Sequence, residues 1–281
     1  QLKLICAMAL WGTMAIFVKN IPLAPIEIAF YRSSIAVITL ILLRMFTHQS
    51  IDWQACRKDW LGLSLSGAAL GLNWTMLFSA YHYVSVSIAT FCYYLAPTII
   101  LLFSTLLFHE VMNKRVWFYL ILSSLGLLLI LNPQALSQQN HLVKGVLFGL
   151  CAAFFYAMVM ISNKILHHTN GLDRTIIQLT IASLFLFPFC LSHGLHLQSL
   201  SIQALLNLLI LGIVYTALAY TLFFSAIHQL PSIKVALMTY IDPLTALLTS
   251  TFILHETLLI NQIIGGLFIL ASAILNELNQ S

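Results

Sequence analysis

Long apolar runs separated by short polar ones dominate the chain. Ten runs are long enough to cross a bilayer, at 2–19, 25–45, 60–81, 85–108, 115–132, 144–164, 174–193, 202–227, 232–254 and 260–276. A spanning helix needs about 20 predominantly apolar residues. The clearest polar breaks fall at 48–59, 109–115, 132–141 and 167–174. Two others are short, YHYVS at 81–85 and HQLP at 228–231. Without a turn at each, the flanking runs would form a helix of roughly 45 residues, far longer than one crossing requires. The runs are continuous rather than alternating, which excludes a membrane barrel. The first run is followed by further spans and lacks a small-residue cleavage site, so it reads as a span rather than a leader. The pattern predicts an all-α polytopic membrane protein with ten transmembrane helices.

Composition removes the soluble alternatives. Of 281 residues, 60% are hydrophobic and 7% are Asp, Glu, Lys or Arg. A soluble chain carries about 25% charge. Twelve Lys and Arg make no nucleic-acid footprint. The five cysteines, Cys6, Cys56, Cys92, Cys151 and Cys190, are odd in number and irregularly spaced. They read as small buried hydrophobes, with neither disulfides nor a metal site expected. No metal or other cofactor is expected.

Basic residues orient the chain. With a cytoplasmic N-terminus, the inner side holds Lys3, Arg44, Arg57, Lys58, Lys114, Arg115, Lys164, Arg174 and Lys234. The outer side holds Lys19 and Lys144, and Arg32 lies within a span. This positive-inside bias predicts an even number of spans with both termini cytoplasmic.

The halves resemble each other. HYVSVSIATFCYYLAPTIILLFSTLLFHE (82–110) aligns without a gap onto HQLPSIKVALMTYIDPLTALLTSTFILHE (228–256) at an offset of 146. His82 matches His228, Pro97 matches Pro243, His109 matches His255 and Glu110 matches Glu256. At an offset of 145, Trp11 matches Tyr156 and Lys19 matches Lys164. Five spans per copy is an odd number, so the second copy enters the membrane inverted. The expected organisation is a first five-helix repeat at 1–132, an outer linker at 133–143 and an inverted repeat at 144–281. Secondary transporters build alternating access on such repeats.

Together, Trp11–Gly12, the segment SVSIATFCYYLAP and the LAP…HE and DP…HE stretches resemble the drug/metabolite transporter superfamily, specifically its EamA-like family of ten-helix bacterial transporters. Many relatives end the matched spans with Gly-Glu or Lys-Glu, where this chain has His109–Glu110 and His255–Glu256. The resemblance implies a carrier in the bacterial cytoplasmic membrane, with its cavity between spans 1, 3, 4, 6, 8 and 9 and with spans 5 and 10 peripheral. It implies a small polar or amphipathic solute, an amino acid or related compound, more often exported.

Several residues inside the spans are candidates for binding or coupling. Asp242 lies near the middle of span 9, where a charge costs roughly 2.5–3.5 kcal/mol on insertion scales. It suits proton coupling or a substrate amine, or it caps backbone groups freed by Pro243. Ala96 occupies the matching position in the first half. Arg32 snorkels, pairs with Glu27, or binds a substrate carboxylate. Trp11, Asn73, Trp74, Tyr94, Tyr156, Tyr215 and Tyr240 offer apolar area with orienting polar groups, and Tyr93 and Tyr220 join the same cluster. Pro97 and Pro243 are candidate gate hinges. Trp53, Trp60, Tyr81 and Trp117 read as interfacial anchors, as do Lys19 and Lys164. Gly145 and Gly149 read as packing within the chain. Lys234 is about 12 Å along the helix from Asp242, too far to pair.

The expected partners are a small-molecule solute, membrane lipid and protons as the coupling ion, with no nucleic acid and a monomer as the working unit. An importer of a nucleotide or sugar conjugate shares the fold, but the interior is poor in basic groups. An intramembrane enzyme would need a nucleophile and base at one depth, and Asp242 has no histidine there. A receptor-like module would not need an inverted repeat.

Overall fold

The computed structural model describes residues 1–47, 50–96, 98–100, 103, 114–131, 140–164, 166–197, 200–227 and 241–280. The expected hinge Pro97, the site candidate Tyr240, the His109–Glu110 pair, His228 and Lys234 lie outside the described residues.

The described chain is helical throughout its apolar runs. The helices are α1 (Leu2–Thr13), α2 (Ala15–Lys19), α3 (Pro25–Thr47), the short α4 (Trp53–Lys58), α5 (Trp60–Tyr83), α6 (Val86–Tyr93) and α7 (Lys114–Leu131). They continue with α8 (Asn140–Lys164), α9 (Gly171–His193), α10 (Ile202–Gly212), α11 (Ala219–Ile227), α12 (Ile241–Leu248) and α13 (Ile260–Gln280). Among the described residues, 6 helical stretches are long and apolar enough to cross a membrane, starting at Leu2, Pro25, Trp60, His141, Gly171 and Ile202. Shorter apolar helices begin at Val86, Trp117, Ile241 and Ile260.

Local chemistry sets the helix starts. Pro25 supplies a fixed φ at the first position of α3, where its missing N–H costs nothing. Ser85, Asn170 and Ser201 accept the free N–H groups at the starts of α6, α9 and α10. Two π-helical turns interrupt the later spans, at Ile213–Leu218 and Thr249–Ile253.

The packing follows a small set of pairs. α5 lies on α8, α9 lies on α3 and α5, and α13 lies on α7. α1 contacts α11 and α12, α6 contacts α8, and α10 contacts α3. Gly145 and Gly149 do pack within the chain. A Cβ at Gly149 would sit 2.8 Å from Cys92, and one at Gly145 would overlap Val84, so both glycines let α8 approach α6 and the end of α5. Outward-facing side chains such as Ile38, Phe46, Leu184, Leu206 and Leu267 are exposed apolar groups suited to lipid. Trp53, Trp60 and Trp117 are exposed, as interfacial anchors should be. Tyr81 is instead buried, because α5 turns that face inward against the core around Phe78.

Two carboxylates clasp α3 to α9, one at each end. Glu27 stands at the third position of α3 and Asp173 at the third position of α9. Glu27 accepts from the Ala24 N–H at 3.2 Å and from the His196 N–H at 3.1 Å, with His196 Nδ1 at 3.2 Å. His196 follows α9. Asp173 forms an ion pair with Arg44 and accepts from Asn170 Nδ2 at 2.7 Å and the Asp52 N–H at 3.1 Å. Arg44 lies in the last turn of α3, and Asp52 in the segment after it. Each carboxylate therefore favours its own helix N-terminus and also binds the segment leaving the other helix.

A third carboxylate secures the Arg44 face. Asp59 accepts from Thr169 Oγ1 at 2.8 Å and from the His168 and Thr169 N–H groups at 2.9 Å. Burial pushes its pKa upward, but these hydrogen bonds outweigh burial and hold it below the ordinary 3.8. A lowered carboxylate pKa stabilises the fold above the unfolded value, and the gain vanishes as pH falls through the folded one. Asp59→Asn should therefore lower the melting temperature at neutral pH. The difference from wild type should shrink below about pH 4, as differential scanning fluorimetry in detergent can show.

Candidate functional site

The interior polar groups fall into two neighbouring clusters. The first centres on Asp242, the second residue of α12. Tyr94 Oη donates to Asp242 Oδ2 at 3.0 Å. Tyr94 stands at the end of α6, stacked edge-on against Tyr93 at 6.1 Å between centroids. Tyr93 in turn meets Tyr156 of α8 at 5.2 Å. Asn73 Nδ2 donates to the Ala152 carbonyl at 2.7 Å, and its side chain also hydrogen-bonds the Tyr93 hydroxyl. This answers the requirement that an amide in hydrocarbon be satisfied. Asp242, Tyr93, Tyr94 and Tyr156 are half-buried, while Asn73 is fully buried.

Backbone proximity places Asp242. A Cβ at Gly12 would lie 2.5 Å from the Asp242 carbonyl oxygen and 2.8 Å from the Ala246 nitrogen. Only glycine lets α1 come this close to α12. Beside it, Trp11 packs on Tyr220 at 5.1 Å and Phe223 at 5.4 Å, and its Nε1 donates to the Tyr215 carbonyl at 3.0 Å.

The second cluster holds Arg32. It neither snorkels nor pairs with Glu27. Its side chain is 1% exposed, because α3 turns it inward against α5 and the π-helical turn. Nε donates to Thr216 Oγ1 at 2.6 Å, Nη2 to the Tyr215 carbonyl at 3.4 Å, and Nη1 lies 2.8 Å from Met14 Sδ. The guanidinium stacks 4.3 Å from the centroid of Trp74 and 5.7 Å from that of Phe78. Among the described residues, no carboxylate lies within ion-pair distance of it. The π turn matters here. Its wider winding offers the Tyr215 carbonyl to both Trp11 and Arg32, while Thr216 presents its hydroxyl to the guanidinium. Tyr215 Oη also pairs with Thr13 Oγ1 at 3.0 Å.

The structure thus gathers Asp242, Asn73, Tyr94 and Tyr156 in one group and Arg32, Trp74 and Tyr215 in the other, with Trp11 hydrogen-bonded into the second and adjacent in sequence to Gly12, which abuts Asp242. Tyr81 and Tyr93 lie within electrostatic reach of Asp242 and of Arg32, and they connect the two groups. Thr13, Met14 and Thr216 escaped the sequence reading because small hydroxyls and a thioether in apolar spans carry no distinctive signal. Lys19 is not a free anchor, since it pairs with Glu256. Both stand at the ends of matched segments, a signal present in the sequence.

The family model described as the EamA-like transporter family matches residues 1–132 and 143–278. The chain belongs to the EamA-like transporter family. It is a multi-pass membrane transporter for small molecules, not an enzyme. It is similar to the uncharacterized transporter YxxF of Bacillus subtilis (strain 168), with 26% identity over 95% of this chain and 87% of that protein. An uncharacterized transporter of Archaeoglobus fulgidus is also 26% identical, over 98% of this chain and 95% of its own length. A probable amino-acid metabolite efflux pump of Salmonella typhimurium shares 26% identity over 60% of each chain. A solved crystal structure covers 99% of this chain and 96% of its own at a TM-score of 0.65. Its 17% identity makes this a likeness of fold.

A buried cation without a carboxylate is a costly structural choice. Even buried ion pairs can often be replaced by apolar residues of similar size at neutral or higher stability, by about 1–4 kcal/mol, and an unpaired charge is costlier still to bury. Arg32→Met should therefore leave the melting temperature in detergent unchanged or higher. A large loss of stability in that variant would show that Arg32 chiefly holds the fold together.

Proposed function

We propose that the protein is a secondary carrier that moves a small zwitterionic or polar metabolite, an amino acid or related compound, out of the cell across the cytoplasmic membrane. The observation that carries this reading is the pairing of Asp242 with Tyr94 near an Arg32 that, among the described residues, has no carboxylate at ion-pair distance, at the meeting of helices from both ends of the chain. A solute ammonium suits the Asp242 end and a solute carboxylate the Arg32 end. Tyr93, Tyr94, Tyr156 and Trp11 supply ring area between them. Asp242 is also the natural proton carrier for coupling, because a carboxylate that must change its charge state does so at lowest cost where hydroxyl partners accept either form.

Alternating access is the mechanism this reading requires, built on ten spans in two inverted halves, 1–132 and 144–281, joined by 133–143. The packing supports it. Under exchange of the halves, α5 on α8 becomes α11 on α1, and α6 on α8 becomes α12 on α1, and both members of each pair occur. The pair α3–α9 maps onto itself, and so does α7–α13. The Glu27 and Asp173 clasps are related by the repeat offset of 146 and tie opposite ends of the α3–α9 pair. The basic bias then assigns the Arg44 end to the cytoplasm. Binding at the centre shifts the population between inward-open and outward-open states, and no bond in the solute is made or broken. Pro243, in the first turn of α12 beside Asp242, is proposed as one gate hinge, and Pro97 at the matching position as its counterpart. Tyr240 is proposed to complete the lining. The working unit is proposed to be a monomer.

The test is transport in liposomes. Protein is reconstituted into vesicles loaded with mixed amino acids and related metabolites, a pH gradient is imposed, and retained solutes are quantified by mass spectrometry against protein-free vesicles. Wild type should selectively deplete one or a few solutes. Asp242→Asn should lower that flux by about 100-fold or more, in line with loss of an essential proton-transfer group, while eluting as a folded monomer. Flux at the wild-type rate in this variant would remove Asp242 from the mechanism.

A further inference from the structure

The Lys19 face carries a junction that the site itself does not use. Glu256 follows the second π-helical turn, and its carboxylate gathers three partners. Lys19, the last residue of α2, forms an ion pair with Oε1. The Val86 N–H, at the start of α6, donates to Oε2 at 2.8 Å. Ser250 Oγ also donates to Oε2. The Glu256 N–H returns to the Ser250 carbonyl at 2.9 Å, which closes a compact turn. His255 sits in that turn at φ 52, a left-handed conformation uncommon for a residue with a Cβ. The strained residue is the one that aims the carboxylate.

The three segments joined there are the ones that carry the site. α1 and α2 lead from Trp11 and Gly12 to Lys19, α6 leads from Val86 to Tyr94, and α12 leads from Asp242 to Glu256. Tyr81, buried in the last turn of α5, is within electrostatic reach of both Asp242 and Glu256. Lys19 and Glu256 side chains remain 30% and 13% exposed. Water at this face can therefore replace each partner when the segments part. An ion pair that keeps this access to water holds the fold less tightly than a fully buried one, which suits a contact that must open on every cycle. A deeply buried pair would be too costly to break.

We propose that Lys19, Glu256 and the Val86 N–H form an outer latch that seals the solute path above Asp242 and opens when the carrier faces outward. This rests on the carrier reading for its purpose, but the latch can be tested without any solute. In a chain whose five native cysteines are replaced by alanine, Tyr81→Cys places one reporter beneath the junction. A membrane-impermeant maleimide is added from the Lys19 side of oriented vesicles. Labelling should be slow with the latch intact and about fivefold faster in Lys19→Met and in Glu256→Gln, a shift of about 1 kcal/mol. Lys19→Arg should keep the slow rate. Because Glu256 also caps α6, Glu256→Gln may be compared only where it elutes as a folded species; Lys19→Met, at a half-exposed site, keeps the proposal falsifiable alone. Equal labelling of folded Lys19→Met and the intact latch would overturn it. Faster labelling together with absent flux in the liposome assay would keep the latch and overturn the carrier reading instead.

Discussion

A polar group inside hydrocarbon has no water to fall back on, and this single constraint organises the molecule. Glu27, Arg32, Asp173 and Asn73 are all buried, and each is satisfied by a segment distant in the chain. Apolar packing between spans is nearly neutral against lipid, so it specifies little by itself. The polar contacts supply the specificity. They select which helices meet, at what depth and in which register. Glycine at position 12 then allows the backbone of α1 to approach Asp242 closely enough for one cluster to form.

The same constraint separates structural polar groups from working ones. Asp173 and Asp59 have their oxygens committed to several donors, and neither has reason to change state. Asp242 makes its contact with a tyrosine hydroxyl, and Arg32 rests on rings, a thioether and single oxygen acceptors. These are arrangements that hold a charge without neutralising it. That contrast, more than depth in the membrane, is what the proposed reading of the pair as a solute site rests on.

Much of the fold was legible because length and hydropathy are strong signals over twenty residues. The six long apolar stretches begin and end close to the predicted runs, and Trp53, Trp60 and Trp117 are exposed, as anchors need to be. Side-chain direction was less legible. Tyr81 read as an interfacial anchor and Arg32 as snorkelling, pairing with Glu27 or facing a solute; both turn inward, and a uniformly apolar helix has no polar face to reveal its rotation. The aromatic cluster was visible as a group, yet its division into an Asp242 set and an Arg32 set depends on the π turn at Ile213–Leu218. No residue pattern in IVYTAL announces a π turn. The match of Lys19 and Glu256 to repeat-equivalent positions was visible, but their meeting with each other required three dimensions.

The clasp between Arg44 and Asp173 also bears on how the chain is made. In the proposed orientation Arg44 belongs to the basic set that orients the early spans, and it acts while the first helices leave the ribosome. Asp173 is synthesised only after the whole first half and the first helix of the second. During that interval Arg44 is an unpaired positive charge at the membrane surface, free to hold its loop on the cytoplasmic side. Once α9 arrives, the same charge is neutralised and buried. In that orientation one arginine serves first as a topogenic signal and later as a tie between α3 and α9, and the timing of translation keeps the two duties apart.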